Sequence, residues 1–169
     1  LASSEISGNK NLTYNLYGMK SFTDSLKGDD ISFGTEVNYP NDFFNFRAGY
    51  LQIGENYNAG LGFVPRTNVR NFYGGAGLGP RPANSPLMQV KTGIRYLFFT
   101  NLKNGGMETS VVDLNYCDLI FLSGDDISFS SQYQFEALEQ DFHILKDYVI
   151  PAGDYNFWRH TLTLTSAKR

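Results

Sequence analysis

The chain is predicted to be all-β. The expected architecture is an antiparallel up-and-down transmembrane β-barrel, or a contiguous part of a larger one, with about eight strands. Three observations predict it. Apolar or aromatic residues alternate with polar ones in segment after segment. The segments are long for soluble strands, which average about 5–6 residues, and suit a tilted membrane crossing of about 9–11. The gaps between them alternate between long and short, as outer loops and periplasmic turns do.

The strands are expected at 11–22, 31–39, 43–53, 69–79, 86–100, 107–121, 126–137 and 154–166. In 31–39, Ile31, Phe33, Val37 and Tyr39 oppose Ser32, Gly34, Glu36 and Asn38. In 43–53, Phe44, Phe46, Ala48 and Tyr50 oppose Asn45, Arg47 and Gly49. In 86–100, Met88, Val90, Ile94, Tyr96 and Phe98 oppose Gln89, Lys91, Gly93 and Arg95. The 107–121 segment alternates less cleanly, with Val112, Leu114 and Tyr116 opposite Asp113, Asn115 and Cys117. In 126–137, Ile127, Phe129, Tyr133 and Phe135 oppose Ser128, Ser130, Gln132, Gln134 and Glu136. Successive strand side chains point to opposite faces, so each segment is a ribbon with one apolar and one polar face. The polar parity is too rich in amides and charges for a dry core and fits a hydrated lumen. The gaps Thr23–Asp30, Gly54–Asn68 and Leu138–Gly153 are expected to face outward, opposite the short turns at 40–42 and 122–125.

Composition narrows the function classes. At 169 residues the chain fits a single domain. Its 11 Tyr, 14 Phe and 17 Gly beside 18% charged residues suit a barrel wall better than a charged soluble surface. A net charge of −3 with scattered Lys and Arg gives no basis for nucleic-acid binding. The single cysteine, Cys117, supplies neither an internal disulfide nor a zinc site and reads as a small strand residue. No run approaches the roughly 20 apolar residues of a membrane helix. No signal peptide opens the chain, so one is expected to have been removed or to lie upstream. The repeat of Gly28 to Phe33 at Gly124 to Phe129 is a turn-then-strand signal; paired Asp residues alone do not make a calcium loop.

Two stretches resemble a known family. The first is LQIGENYNAGLGFVPRTNVR at 51–70, followed by Phe72 to Gly75 and by Gly79 to Pro82. The second runs from Val149 through Ile150, Pro151, Gly153, Asp154, Tyr155, Phe157 and Arg159 to Leu162. Together they resemble the outer-membrane barrel region of bacterial proteins described as "carbohydrate-binding family 9 domain-containing", a barrel of unknown function. Asn58, Ala59 and Gly60 stand where that family has Asn, Pro and an acid. The resemblance runs from about residue 28 onward. It implies a scaffold or channel in the outer membrane of a Gram-negative bacterium, partnered by the lipid bilayer and associated with glycan binding or uptake, or with other outer-membrane or periplasmic proteins. It further implies that residues 1–169 form one barrel segment of a longer barrel. No cofactor, metal or catalysis is expected within it.

Candidate residues follow from position. Phe63, Arg66 and Arg70 lie in or beside the long Gly54–Asn68 loop. They read either as a ligand or partner contact at the barrel mouth, or as a loop folded inward whose arginines pair with wall carboxylates such as Glu36 or Glu108. Glu36, Arg47, Lys91, Arg95 and Glu136, with Glu108 and Asp113, are expected to share the lumen face, as a solute-selecting charge set or as a network holding the wall together. Phe43, Phe44, Tyr155, Phe157 and Trp158 lie near strand ends. There they read as an aromatic girdle, with carbohydrate stacking as the alternative. His143, near Asp141 and Asp147, and His160, within a strand, lack a third converging ligand or a nucleophile. Two rival readings stay open: a soluble β-sandwich or lipocalin-like carbohydrate- or ligand-binding module, and a surface hydrolase.

Overall fold

A computed structural model describes residues 2–6, 9–23, 28–60, 62–145 and 148–167. Its strands are β1 (Ala2–Ile6), β2 (Asn9–Lys20), β3 (Ile31–Tyr39), β4 (Phe44–Ile53), β5 (Val69–Leu78), β6 (Leu87–Asn101), β7 (Met107–Phe121), β8 (Asp126–Leu138), β9 (Phe142–Leu145), β10 (Tyr148–Ile150) and β11 (Gly153–Thr165). The eight expected strands are β2 to β8 and β11, each within two residues of its expected bounds. The short β1 was not anticipated. Nor was the β9–β10 hairpin, which stands inside the long gap after β8 and forms its own two-stranded sheet. Among the described residues there is no helix.

The main sheet has nine strands in the order β1-β2-β3-β4-β5-β6-β7-β8-β11, each antiparallel to its neighbour. Successive strands pair with successive strands, so every connection is local. Among the described residues no ladder joins β1 to β11, and the sheet is open.

Register carries the two parities across the whole sheet. Val37 faces Ala48, Ala48 faces Gly74, Gly74 faces Tyr96, Tyr96 faces Val112 and Val112 faces Tyr133. One residue along, Glu36 faces Gly49, Gly49 faces Tyr73, Tyr73 faces Leu97, Leu97 faces Val111 and Val111 faces Gln134. The polar-parity side chains from β3 to β11 line one concavity of about 1160 Å³, so the sheet curls with that face inside. The convex face carries rows of rings. Phe33, Tyr50 and Phe72 follow one another across β3, β4 and β5 with centroids 5.8 and 5.0 Å apart. Tyr96 stacks on Phe98 at 5.4 Å, and Tyr133 lies 5.2 Å from Trp158.

Burial is inverted relative to a water-soluble domain. Among the described residues the only buried hydrophobic side chain is Val69, whereas Ser21, Ser32, Gln89, Thr109, Ser110 and Ser131 are buried. Phe33, Phe72, Ile94, Phe129, Trp158 and Leu162 stay exposed on the convex face.

Bulges adjust the parity locally. The register shifts between Asn115 and Cys117, so Tyr116 and Cys117 oppose the single residue Phe129, and Tyr116 stacks on that ring at 5.2 Å. Cys117 therefore leaves the polar parity expected of it; the bulge adds one residue to β7 and moves it across. Tight glycine contacts close the inner surface. A Cβ on Gly49 would lie 2.3 Å from the Tyr73 ring, and one on Gly34 would lie 2.5 Å from Tyr17. Each tyrosine lies flat over the glycine of the neighbouring strand, covering backbone that no side chain of its own shields.

Candidate functional site: the concave face and its two ends

The site is built from one side of seven strands, β3 to β8 and β11. At its centre Arg47 of β4 reaches back to Glu36 of β3, its Nε donating to Oε2 at 2.8 Å and its Nη2 donating to the same oxygen. Tyr73 of β5 donates its hydroxyl to that same Glu36 Oε2 at 2.9 Å, and the Arg47 guanidinium sits 5.2 Å from the Tyr73 ring centre. One carboxylate thus fixes three strands through charge-assisted bonds. A second chain crosses the other half of the sheet. Arg95 Nη2 lies 3.5 Å from Asp113, Asp113 accepts from Gln132 Nε2 at 2.6 Å, and Gln132 Oε1 accepts from Arg159 Nη2 at 2.9 Å. Lys91 stands directly across from Asp118. Glu36, Arg47, Lys91, Arg95 and Glu136 therefore share one face, with cations and anions interleaved rather than segregated.

The long-loop end is crossed by the segment between β4 and β5. On one side Tyr57 donates its hydroxyl to Met19 Sδ at 3.5 Å, and Asn58 N–H donates to Ser21 Oγ at 3.0 Å, both at the β2 end. On the other side Arg66 donates to Thr109 Oγ1 at 2.7 Å and to Glu136 Oε1 at 3.1 Å, and lies 3.9 Å from Glu108. Thr109 in turn donates to Glu136 Oε2 at 2.9 Å, and the Arg66 guanidinium rests 5.0 Å from the Phe99 ring centre. Arg66 thus follows the inward-folded alternative, with Glu108 and Glu136 as its carboxylates. Phe63 instead stands out from the segment, 89% exposed. Arg70 is the second residue of β5 and opposes Gln52 and Thr100 on the convex parity, away from Arg66.

The short-turn end is held by a different clamp. Asp42 accepts from Arg81 Nε at 2.8 Å and from Gln89 Nε2 at 3.0 Å, and the same Gln89 nitrogen donates to the Gly79 carbonyl at 3.0 Å. Hydrogen bonds from Arg81 and Gln89 hold the Asp42 carboxyl below the usual carboxylate range, and the Asp42 bond raises the Arg81 guanidinium. In the neighbouring turn Asp125 accepts from Ser123 Oγ at 2.6 Å and from Ala167 N–H at 3.0 Å, and these bonds lower its pKa as well.

The aromatic set divides. Phe44 packs with Tyr39 and Phe46 on the convex side at centroid distances of 6.4 and 6.0 Å, and Phe43 lies exposed beside them. Trp158 is convex too. Tyr155 and Phe157 face Glu136 and Gln134 and so belong to the polar parity, because β11 sets its odd-numbered residues against that side of β8. His160 Nδ1 lies 2.6 Å from Ser131 Oγ on the convex face, with the Trp158 and His160 rings parallel. His143 is an exposed residue of β9, Asp141 accepts from the Ala152 N–H at 2.8 Å, and Asp147 lies outside the described residues, as do positions 24–27 of the Thr23–Asp30 gap. Among the described residues no three His, Cys, Asp or Glu side chains converge as a metal site would require. Gly28 and Gly124 both adopt left-handed φ, 77° and 87°, in the turns that lead into β3 and β8.

Sequence reasoning missed Thr109, Asp42 and Arg81, and set Gln89 on the polar parity without its partners. A signal for the crossing segment was present. The inner parity turns apolar at Leu51, Ile53, Val69 and Phe99, all toward the long-loop end. An apolar patch at one end of a wet face calls for a cover. Compared with known proteins, the chain matches no family model, no curated protein and no solved structure.

Proposed function

We propose that this chain is wall of an outer-membrane β-barrel, its convex face against lipid and its concave face lining a hydrated passage or scaffold interior. One observation carries the reading. Large apolar side chains such as Phe33, Phe72, Ile94, Phe129 and Leu162 stay exposed on the convex face, while the side chains buried among the described residues are mostly serine, threonine and glutamine. In water, leaving so many rings exposed forfeits about 25 cal/mol for each Å² of apolar surface, a loss that lipid removes.

Dimensions and topology add support. On β8 the convex parity runs from Ile127 to Phe135, apolar but for Ser131 at its centre. That is roughly 27 Å along the strand at about 3.4 Å per residue, and the apolar band of such barrels is about 25 Å tall after tilt. On β4, β5 and β6 the band ends at Gln52, Arg70 and Thr100, a polar row at the long-loop end. Local up-and-down connections, with the three longest all at one end of the sheet, follow the barrel pattern. The interleaved charges of the concave face favour a passage or scaffold without strong ionic preference, and uncharged polar solutes such as glycans suit it. Catalysis has no place in this reading.

Arginine substitution at matched depths tests it. Phe129→Arg on the convex face should cost insertion about 2–4 kcal/mol, while Ser130→Arg beside it on the concave face should be tolerated. Folding into vesicles under a denaturant gradient reads both variants. Equal tolerance of the two substitutions, with a chain that stays monomeric and folded without detergent, would rule the reading out.

A further inference from the structure

We infer that the described residues 54–60 and 62–68 between β4 and β5 form a size-selecting strap across the long-loop end of the passage, and that Arg66 is the residue that sets its position. This rests on the barrel reading and names the element that would limit what enters. The segment leaves β4 and returns to β5, two adjacent strands whose ends a few residues would join. Instead it touches Met19 and Ser21 of the β2 end and, through Arg66, Thr109 and Glu136 of β7 and β8. From β5 to β8 alone is three strand spacings, roughly 14 Å. The segment therefore lies across the sheet and not above its own hairpin.

What it covers distinguishes it from the other loops. Val69, Ser21, Ser32 and Thr109, four of the seven side chains buried among the described residues, lie on the inner parity at this end. The large concavity lies on the other side of the strap, running from Leu97 and Gln132 down to Asp42 and Gly79 at the short turns. A solute approaching from the loop side meets the strap before it meets the concavity.

The anchors differ in kind, which makes one end the releasable one. At the root, Gly54 N–H bonds to the Ile31 carbonyl, Asn56 N–H bonds to the Asp29 carbonyl, and Asn56 Nδ2 bonds to the Gly28 carbonyl. These are backbone-directed and independent of ionisation. The far end depends on one guanidinium shared among Thr109, Glu136 and Glu108. Beneath the segment, Ser32 Oγ on β3 near its root and Asn71 Oδ1 on β5 are shielded with no hydrogen-bond partner, so closure leaves two polar atoms unsatisfied that opening would hydrate. Arg66 holds the closed position against that cost.

The test uses thiol accessibility in intact cells displaying the full chain, with Cys117→Ser and Ser130→Cys placing one thiol on the concave wall. A small impermeant methanethiosulfonate should react at similar rates whether position 66 is Arg or Ala. A maleimide carrying a bulky polyethylene glycol should react slowly with the parent and about tenfold faster after Arg66→Ala, with smaller gains for Thr109→Val and Glu136→Gln. The last two keep Arg66, so they decide the matter if the alanine variant fails to assemble. Unchanged rates for the bulky reagent in the variants that assemble would overturn the strap. Leu162→Cys in the same cells separates this from failure of the barrel reading. That convex thiol should resist the impermeant reagents, and its ready reaction would refute the membrane wall itself.

Discussion

At the residue scale, the contacts that matter most are those in which one side chain serves several strands. Glu36 accepts from both Arg47 and Tyr73, whereas Asp113 meets an Arg95 side chain that is 80% exposed. Shared, short, charge-assisted bonds hold more than single exposed pairs do. A double-mutant cycle on Glu36 and Arg47 should give a coupling of about 1 kcal/mol or more, and the cycle on Asp113 and Arg95 less than about 0.5 kcal/mol, both read from unfolding midpoints. Glycine is decisive where a ring occupies the space of its missing side chain. Gly49→Ala would force the Tyr73 ring off its seat and should destabilise by about 1–3 kcal/mol. Gly18 has open space around its Cβ position, so Gly18→Ala should be near neutral or slightly stabilising in the same measurement.

Acid sensitivity belongs to the residue scale as well. The pKa of Asp42 is depressed in the folded chain by Arg81 and Gln89. Its contribution is therefore present above the unfolded carboxylate value, about 3.9, and is lost as pH falls through the lower folded value. Order in the 79–86 turn, followed by backbone amide exchange or NMR shifts, should weaken below about pH 4, and Asp42→Asn should remove that pH dependence.

At the element scale, the strands were legible because a period of two survives from end to end of most of them. β3 begins and ends where the alternation does, and β7 keeps its expected bounds although its alternation breaks at the bulge. β11 was legible as a strand, but the facing of its aromatics was not. Alternation alone sets Trp158 opposite Tyr155 and Phe157, and only pairing with β8 tells which of the two faces is the convex one. The bulge at Tyr116 and Cys117 was equally hidden, since one added residue leaves no composition signal and shows itself in the register alone. β9 and β10 fell within a gap read as loop because four- and three-residue strands are shorter than any periodicity can define.

At the scale of the whole molecule, the sequence announced two faces but not the route of the 54–68 segment, which depends on contacts up to 70 residues apart such as Arg66 to Glu136. The apolar turn of the inner parity at Ile53 and Val69 was the one local hint that this end is covered. The two faces themselves decide the account, because the same alternation serves a soluble sandwich if its apolar side is packed and a membrane wall if it is not. The nine-stranded sheet leaves that side uncovered among the described residues.

Trp158, the single tryptophan of this chain, sits on the convex face beside Tyr133 and reports on the environment of that side. Its fluorescence, measured in phospholipid vesicles, is the most direct test of the central claim. If that claim holds, Trp158 emission is blue-shifted, quenched by lipids brominated on their acyl chains and not by aqueous iodide. Emission at the wavelength of hydrated indole, quenched by iodide and indifferent to brominated lipid, would contradict it.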